Sequence, residues 1–126
     1  MLRELKGVRQ NPNERLRRWF EDDYFDLIVW YEGPQVYGFQ LCYDTQGRER
    51  ALTWIRGSGY SHRAIDDGQA TASKHMSPIL VQDGLFEKNA VAERFKAASR
   101  DIDPEVASLV HGVLLAYQQR AAGERR

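Results

Sequence analysis

Cysteine occurs once in the 126 residues, as Cys42. That excludes an internal disulfide framework and suits a reducing compartment. Net charge is missing too, because 18 Lys and Arg offset 18 Asp and Glu. A dedicated nucleic-acid or membrane-surface binder would carry an excess of positive charge, so neither class is favoured. No apolar run approaches the ~18 residues needed to span a bilayer. The opening Met1-Leu2-Arg3-Glu4 has no apolar centre of the kind a secretory signal needs. A cytoplasmic protein outside the membrane is therefore expected. Internal repeats and low-complexity tracts are also lacking.

What the chain does have is a core: 42% of its residues are hydrophobic and 11% aromatic, enough for one folded domain. The aromatics are unevenly spread, with 11 of 14 between Trp19 and Tyr60. From 15 to 66, β-branched and aromatic residues alternate between short turn signals, which predicts an antiparallel meander of four or five strands. From 67 to 87 the mixture of Ser, Thr, Gly and proline predicts an extended connection. From 88 to 122 the period becomes helical, and 123–126 should fray. Asp103-Pro104-Glu105 combines an N-cap residue, a first-position proline and an acidic first turn. Beyond it Val106, Leu109, Val110, Val113, Leu114 and Tyr117 form one apolar stripe. The expected architecture is α+β, with two C-terminal helices against one face of the sheet.

Strand parity gives an expected register. A tight turn at Gly33-Pro34 opposes Glu32 to Gln35, and with it Trp30 to Tyr37, Ile28 to Phe39 and Asp26 to Leu41. A second turn at Gln46-Gly47 opposes Leu41 to Leu52 and Phe39 to Trp54. One face then carries Ile28, Trp30, Tyr37, Phe39, Leu41, Tyr43, Leu52 and Trp54. The other carries Leu27, Val29, Gly38, Gln40, Cys42, Ala51, Thr53 and Ile55. A fourth strand over Tyr60 to Asp66 would put His62 near Trp54 on the aromatic face. Met1 to Gln10 fits a short helix through Leu2, Leu5 and Val8, although Gly7 weakens it.

RRWFEDDYFDLIVW at 17–30, GFQLCYDTQGRERALTW at 38–54, HRAIDDG at 62–68 and PILVQDGLF at 78–86 together resemble a group of small bacterial proteins of unknown function. The resemblance covers most of the chain and implies a bacterial, cytoplasmic, single-domain protein. It carries no catalytic residue, and it marks the acidic and arginine positions of those segments as places to look.

Asp22-Asp23, Asp44 and Asp66-Asp67 fall at turns or strand ends, where Asp bonds nearby backbone N–H groups. Asp26 is different, because the register sets it inside an apolar strand beside Leu41, where a carboxylate needs a partner. A structural pair with Arg17 or Arg50 is favoured over a catalytic role. His62 and Asp66 share a strand face but stand ~13 Å apart at roughly 3.3 Å per residue, too far for one metal ion. His75 and His111 do not complete a ligand set, so no metal and no cofactor are expected. Cys42, opposite Ala51, reads as a small inert hydrophobe. The candidate functional positions are thus Asp26, His62, Asp66, Arg17 and Arg50.

With no nucleophile and base, metal cluster or phosphate loop in view, the leading reading is a non-enzymatic binding or interaction module. Two helices can cover only one face of such a sheet, so the leftover face is expected to pair with a second copy as a homodimer, or to take a protein or small-molecule partner. A lid formed by residues 1–10 over that face is the intramolecular rival. A hydrolytic enzyme using Asp26, His62 or Asp66 is one alternative function. A single-strand nucleic-acid binder using the sheet arginines and aromatics is another.

Overall fold

The computed structural model describes residues 1–10, 12, 15–65, 80–82 and 86–118. Its strands are β1 (Arg3–Glu4), β2 (Arg17–Glu21), β3 (Phe25–Glu32), β4 (Gln35–Tyr43), β5 (Arg50–Ile55), β6 (Gly59–Ile65) and β7 (Leu80–Gln82). Two helices follow, α1 (Lys88–Ala98) and α2 (Pro104–Ala116). The α+β class holds, but the expected four or five strands are too few. Six strands run as an antiparallel meander from β1 to β6, and β7 adds to the β6 edge. The extra strands are two or three residues long, below what hydrophobic alternation can reveal. β1 stands where a helix was considered for the N-terminal segment. Most of the expected connection and all of 119–126 lie outside the described residues, as do Asp66 and His75. No helix among the described residues is long and apolar enough to cross a membrane.

Local chemistry sets the turns. The Asp22 carboxylate accepts the backbone N–H groups of Tyr24 at 2.8 Å and Phe25 at 2.7 Å, closing the β2–β3 turn. Gly33 turns β3 into β4 with φ of +62°, where a side chain would be strained. The register from β4 to β5 is as expected, with Leu41 opposite Leu52 and Phe39 opposite Trp54. His62 lies opposite Leu52 and two pairs along from Trp54, on the same face.

Between β3 and β4 the expected register fails. Glu32 does oppose Gln35 and Tyr31 opposes Val36, but the next pair is Trp30 with Gly38, leaving Tyr37 as an extra residue in a bulge. Beyond the bulge the parity of β3 against β4 is reversed, so Val29 faces Phe39, Leu27 faces Leu41 and Asp26 faces Cys42. Leu27 and Val29 therefore belong to the aromatic core face, while Ile28, Trp30 and Asp26 point to the other side. Exposure agrees: Phe20, Phe25, Leu27, Val29, Phe39, Leu41 and Leu52 are fully buried.

Both helices lie on that buried face. Phe95 of α1 meets Phe25 edge-on with ring centres 5.7 Å apart, and Val106, Val110 and Leu114 of α2 join the same cluster. Tyr60 of β6 donates its hydroxyl to the Val113 carbonyl at 2.8 Å, tying the sheet to α2. The Asp103 cap is present, accepting from the Glu105 N–H at 2.8 Å. Leu2 is buried in this core and its N–H bonds the Ala98 carbonyl at 2.9 Å. The N-terminal segment thus enters the helix side of the sheet and supplies no lid through Leu2 for the other side.

Candidate binding surface

The second face of the sheet carries neither helix. Cross-strand pairing arranges its side chains in three rows. The first is Arg17, Trp30, Gly38 and Ile55; the second is Trp19, Ile28, Gln40, Thr53 and Ser61; the third is Arg3, Glu21, Asp26, Cys42, Ala51 and Arg63. Trp19, Ile28, Trp30 and Ile55 are all half-buried. They form an apolar band across β2 to β5, while Gln40 and Thr53 bond each other at 3.2 Å farther along the central row.

A cleft of about 900 Å³ opens at the first row, between the start of β2 and the β3–β4 turn, lined by Arg15, Arg17, Trp30, Glu32, Tyr37 and Ile55. Gly38 lies between Trp30 and Ile55 in the same row. A Cβ there would stand 2.5 Å from the Trp54 carbonyl oxygen and 2.8 Å from the Ile55 Cδ1, so only glycine lets Ile55 cross the strand. The cleft's cations are partly engaged already. The Arg15 guanidinium sits 3.6 Å above the Tyr37 ring, and 3.8 Å from the exposed Glu32 carboxylate. Arg17 donates through Nε and Nη2 to the Arg9 carbonyl at 3.2 and 3.0 Å.

The acidic row sits at the other end of the same strands. Asp26 accepts from the Trp19 indole N–H. This corrects both the aromatic-core placement of Asp26 and its expected pairing with Arg17 or Arg50, because the bulge at Tyr37 turns Asp26 away from the core. Arg17 is on the same face but two rows away. Arg50 lies on the core side, 5.8 Å from the Tyr43 ring centre. Cys42 is also on the open face, and its thiol is pushed up to about 12 by burial first, then by the nearby Glu49 and Asp26 charges. A thiol in that state is protonated at neutral pH and is no nucleophile.

His62 is on the helix side and 3% exposed. Its ring stacks parallel to Tyr43, whose hydroxyl lies 2.6 Å from Nε2, and Phe86 packs on its edge. The sheet therefore separates His62 from Asp26, and the structure does not bring these two candidates together. Among the described residues no three His, Cys, Asp or Glu side chains are grouped to hold a metal.

A further cluster was not legible in the sequence. Arg18, alternating with Trp19 onto the helix side, bonds both oxygens of Glu4 at 2.8 and 2.9 Å, the Tyr31 hydroxyl at 3.1 Å and the capping Asp103 at 3.1 Å. Its partner Glu4 is held below the usual carboxylate range chiefly by that hydrogen bond. The four residues are spread from position 4 to position 103, so no local spacing announces them. Only the Asp103 cap and the β2 alternation were visible in advance. They tie β1, β2, β3 and α2 at the rim of the core, a structural role that leaves the open face as the candidate site. The chain matches no protein family, curated protein or solved structure.

Proposed function

We propose that the protein is a non-enzymatic interaction module whose working surface is the helix-free face of its sheet. The observation that carries this reading is the band of Trp19, Ile28, Trp30 and Ile55 on a face that, among the described residues, carries no helix. Large apolar side chains grouped on one face and only partly buried are a mark of contact surfaces on small proteins. A hydrolytic reading has less support, since Asp26 and His62 lie on opposite sides of the sheet and the Cys42 thiol stays protonated. Single-strand nucleic-acid binding is also less well supported. Arg15 already covers Tyr37, and Arg17 is drawn to the Arg9 carbonyl, so the aromatic plane and cations that bases and phosphates need are partly taken.

Acrylamide quenching of tryptophan fluorescence tests whether this face is the contact surface. Trp19 and Trp30 should become less quenchable as the protein is concentrated through the micromolar range. Ile28→Glu, which sets a charge in the middle of the band without touching the core, should abolish that change. Quenching that is independent of concentration would show that the face meets no second copy, and a concentration-dependent response left unchanged by Ile28→Glu would contradict the reading.

A further inference from the structure

The open face has an order that the apolar band alone does not explain. Along β2 its residues read Arg17, Trp19, Glu21, and along the antiparallel β3 they read Trp30, Ile28, Asp26 when taken in the same direction. Along these two strands Arg17 and Trp30 lie at one end, Trp19 and Ile28 in the middle, and two carboxylates at the other. Size changes in the same direction. On β4 and β5 the cleft end carries Ile55 standing over Gly38, whereas the acidic end carries only Cys42 and Ala51.

We infer that this face is built to pair with a second copy of itself about a two-fold axis crossing the strands over Trp19 and Ile28, so that Arg17 of each copy meets the partner's Glu21. This rests on the proposed role of the open face and adds the identity of the partner and the code that selects it.

Two sheets packed face to face keep their strands within about 30° and lie ~10 Å apart. An axis perpendicular to the strands brings Trp19 and Ile28 onto their own copies and lays the cleft row over the partner's acidic row. On β4 and β5 large then comes down on small, with Ile55 over the partner's Ala51 beside Cys42, while on β3 Trp30 comes down on the partner's Asp26, which already accepts from its own Trp19. The Arg17 and Glu21 charges also close. Arg17 keeps N–H groups beyond the two that serve the Arg9 carbonyl, since a guanidinium has five. Glu21 is half-buried and, among the described residues, makes no ion pair, although Arg3 lies across from it on β1. Arg3 and Arg63 sit at the outer ends of the acidic row, outside the β2–β3 centre.

The alternative axis, parallel to the strands, is worse on the same residues. It would lay Arg17 over apolar Ile55 and set Glu21 and Asp26 against Ala51 and Cys42, so that none of the three charges meets its opposite, whereas the first axis leaves only Asp26, bonded to its own Trp19, without one. Unpaired burial of that kind is strongly disfavoured.

The test is a charge exchange read by native mass spectrometry and light scattering, with one chain carrying a mass tag. Arg17→Glu and Glu21→Arg should each weaken self-association about a hundredfold, the scale of breaking a close interfacial charge pair. The two variants mixed in equal amounts should recover a one-to-one heterodimer, because one then carries acid at both positions and the other arginine at both. Recovery also shows that each variant is folded. If both single variants pair as well as the original chain, or if the mixture stays monomeric while the original chain dimerises, the register is overturned. In that case disruption by Ile28→Glu would still uphold the face itself. An original chain that is monomeric at every concentration overturns the pairing outright.

Discussion

At the residue scale, Cys42 shows how placement fixes chemistry. Its position opposite Ala51 was legible from the two turns, because β4 and β5 pair without interruption. Its nearness to Asp26 was not legible, because that contact depends on the bulge. The thiol is protonated up to about 12 against an ordinary 9.0, with burial the main cause. The folded protein thus holds this proton more tightly than the unfolded chain. The contribution to stability is present in full below about pH 9 and is lost as pH rises from there towards about 12. Alkylation of the folded protein by iodoacetamide should stay slow at neutral pH and accelerate only in strong alkali. A labelling midpoint near that of an ordinary free cysteine would contradict the burial of this side chain.

At the scale of elements, the β3–β4 hairpin and α2 contrast instructively. For α2, the local signals Asp103, Pro104 and Glu105 were sufficient, since capping depends on neighbours in sequence. Asp103→Ala should cost about 1 to 2 kcal/mol in urea unfolding through the lost cap, while Asp103→Asn keeps an acceptor and should cost less. The Asp103 carboxyl is held below its usual range first by the Glu105 N–H and then by Arg18. Its charged form therefore stabilises the fold at neutral pH, and that part is lost as pH falls through the lowered range. An Asp103→Ala protein as stable as the original would remove the cap from the account.

The hairpin could not be solved from its turn alone. The turn sets Glu32 opposite Gln35 correctly, yet one inserted residue at Tyr37 reverses every pair beyond it. A signal was present in Gly38, because a glycine within a strand often marks a bulge or a close approach. The structure shows the approach, with the Trp54 carbonyl 2.5 Å from where a Cβ would stand. Gly38→Ala is therefore expected to destabilise by about 1 to 3 kcal/mol, since the obstacle is backbone and cannot rotate away. Equilibrium denaturation checks this, and an unchanged midpoint would mean that the strand crossing at Gly38 is looser than described.

For the whole molecule, the two-layer design was legible and the identity of the free face was legible only in part. Aromatic crowding from Trp19 to Tyr60 pointed to a sheet, and the periodic stripe after Asp103 to a helix that must cover one side of it. Cys42, Ala51 and Ile55 were rightly placed on the uncovered side. Leu27 and Val29 were exchanged with Ile28 and Trp30 by the bulge, which makes the open face more aromatic than the parity argument allowed. That exchange also gathers Arg17 and Trp30 at one end and Asp26 with Glu21 at the other. The central claim is that this face is buried against another copy. Its most direct measurement is the mass of the intact chain by light scattering across the micromolar range. That mass should rise to twice the 14.6 kDa of one chain; a value that stays at one chain mass at every concentration would contradict the pairing.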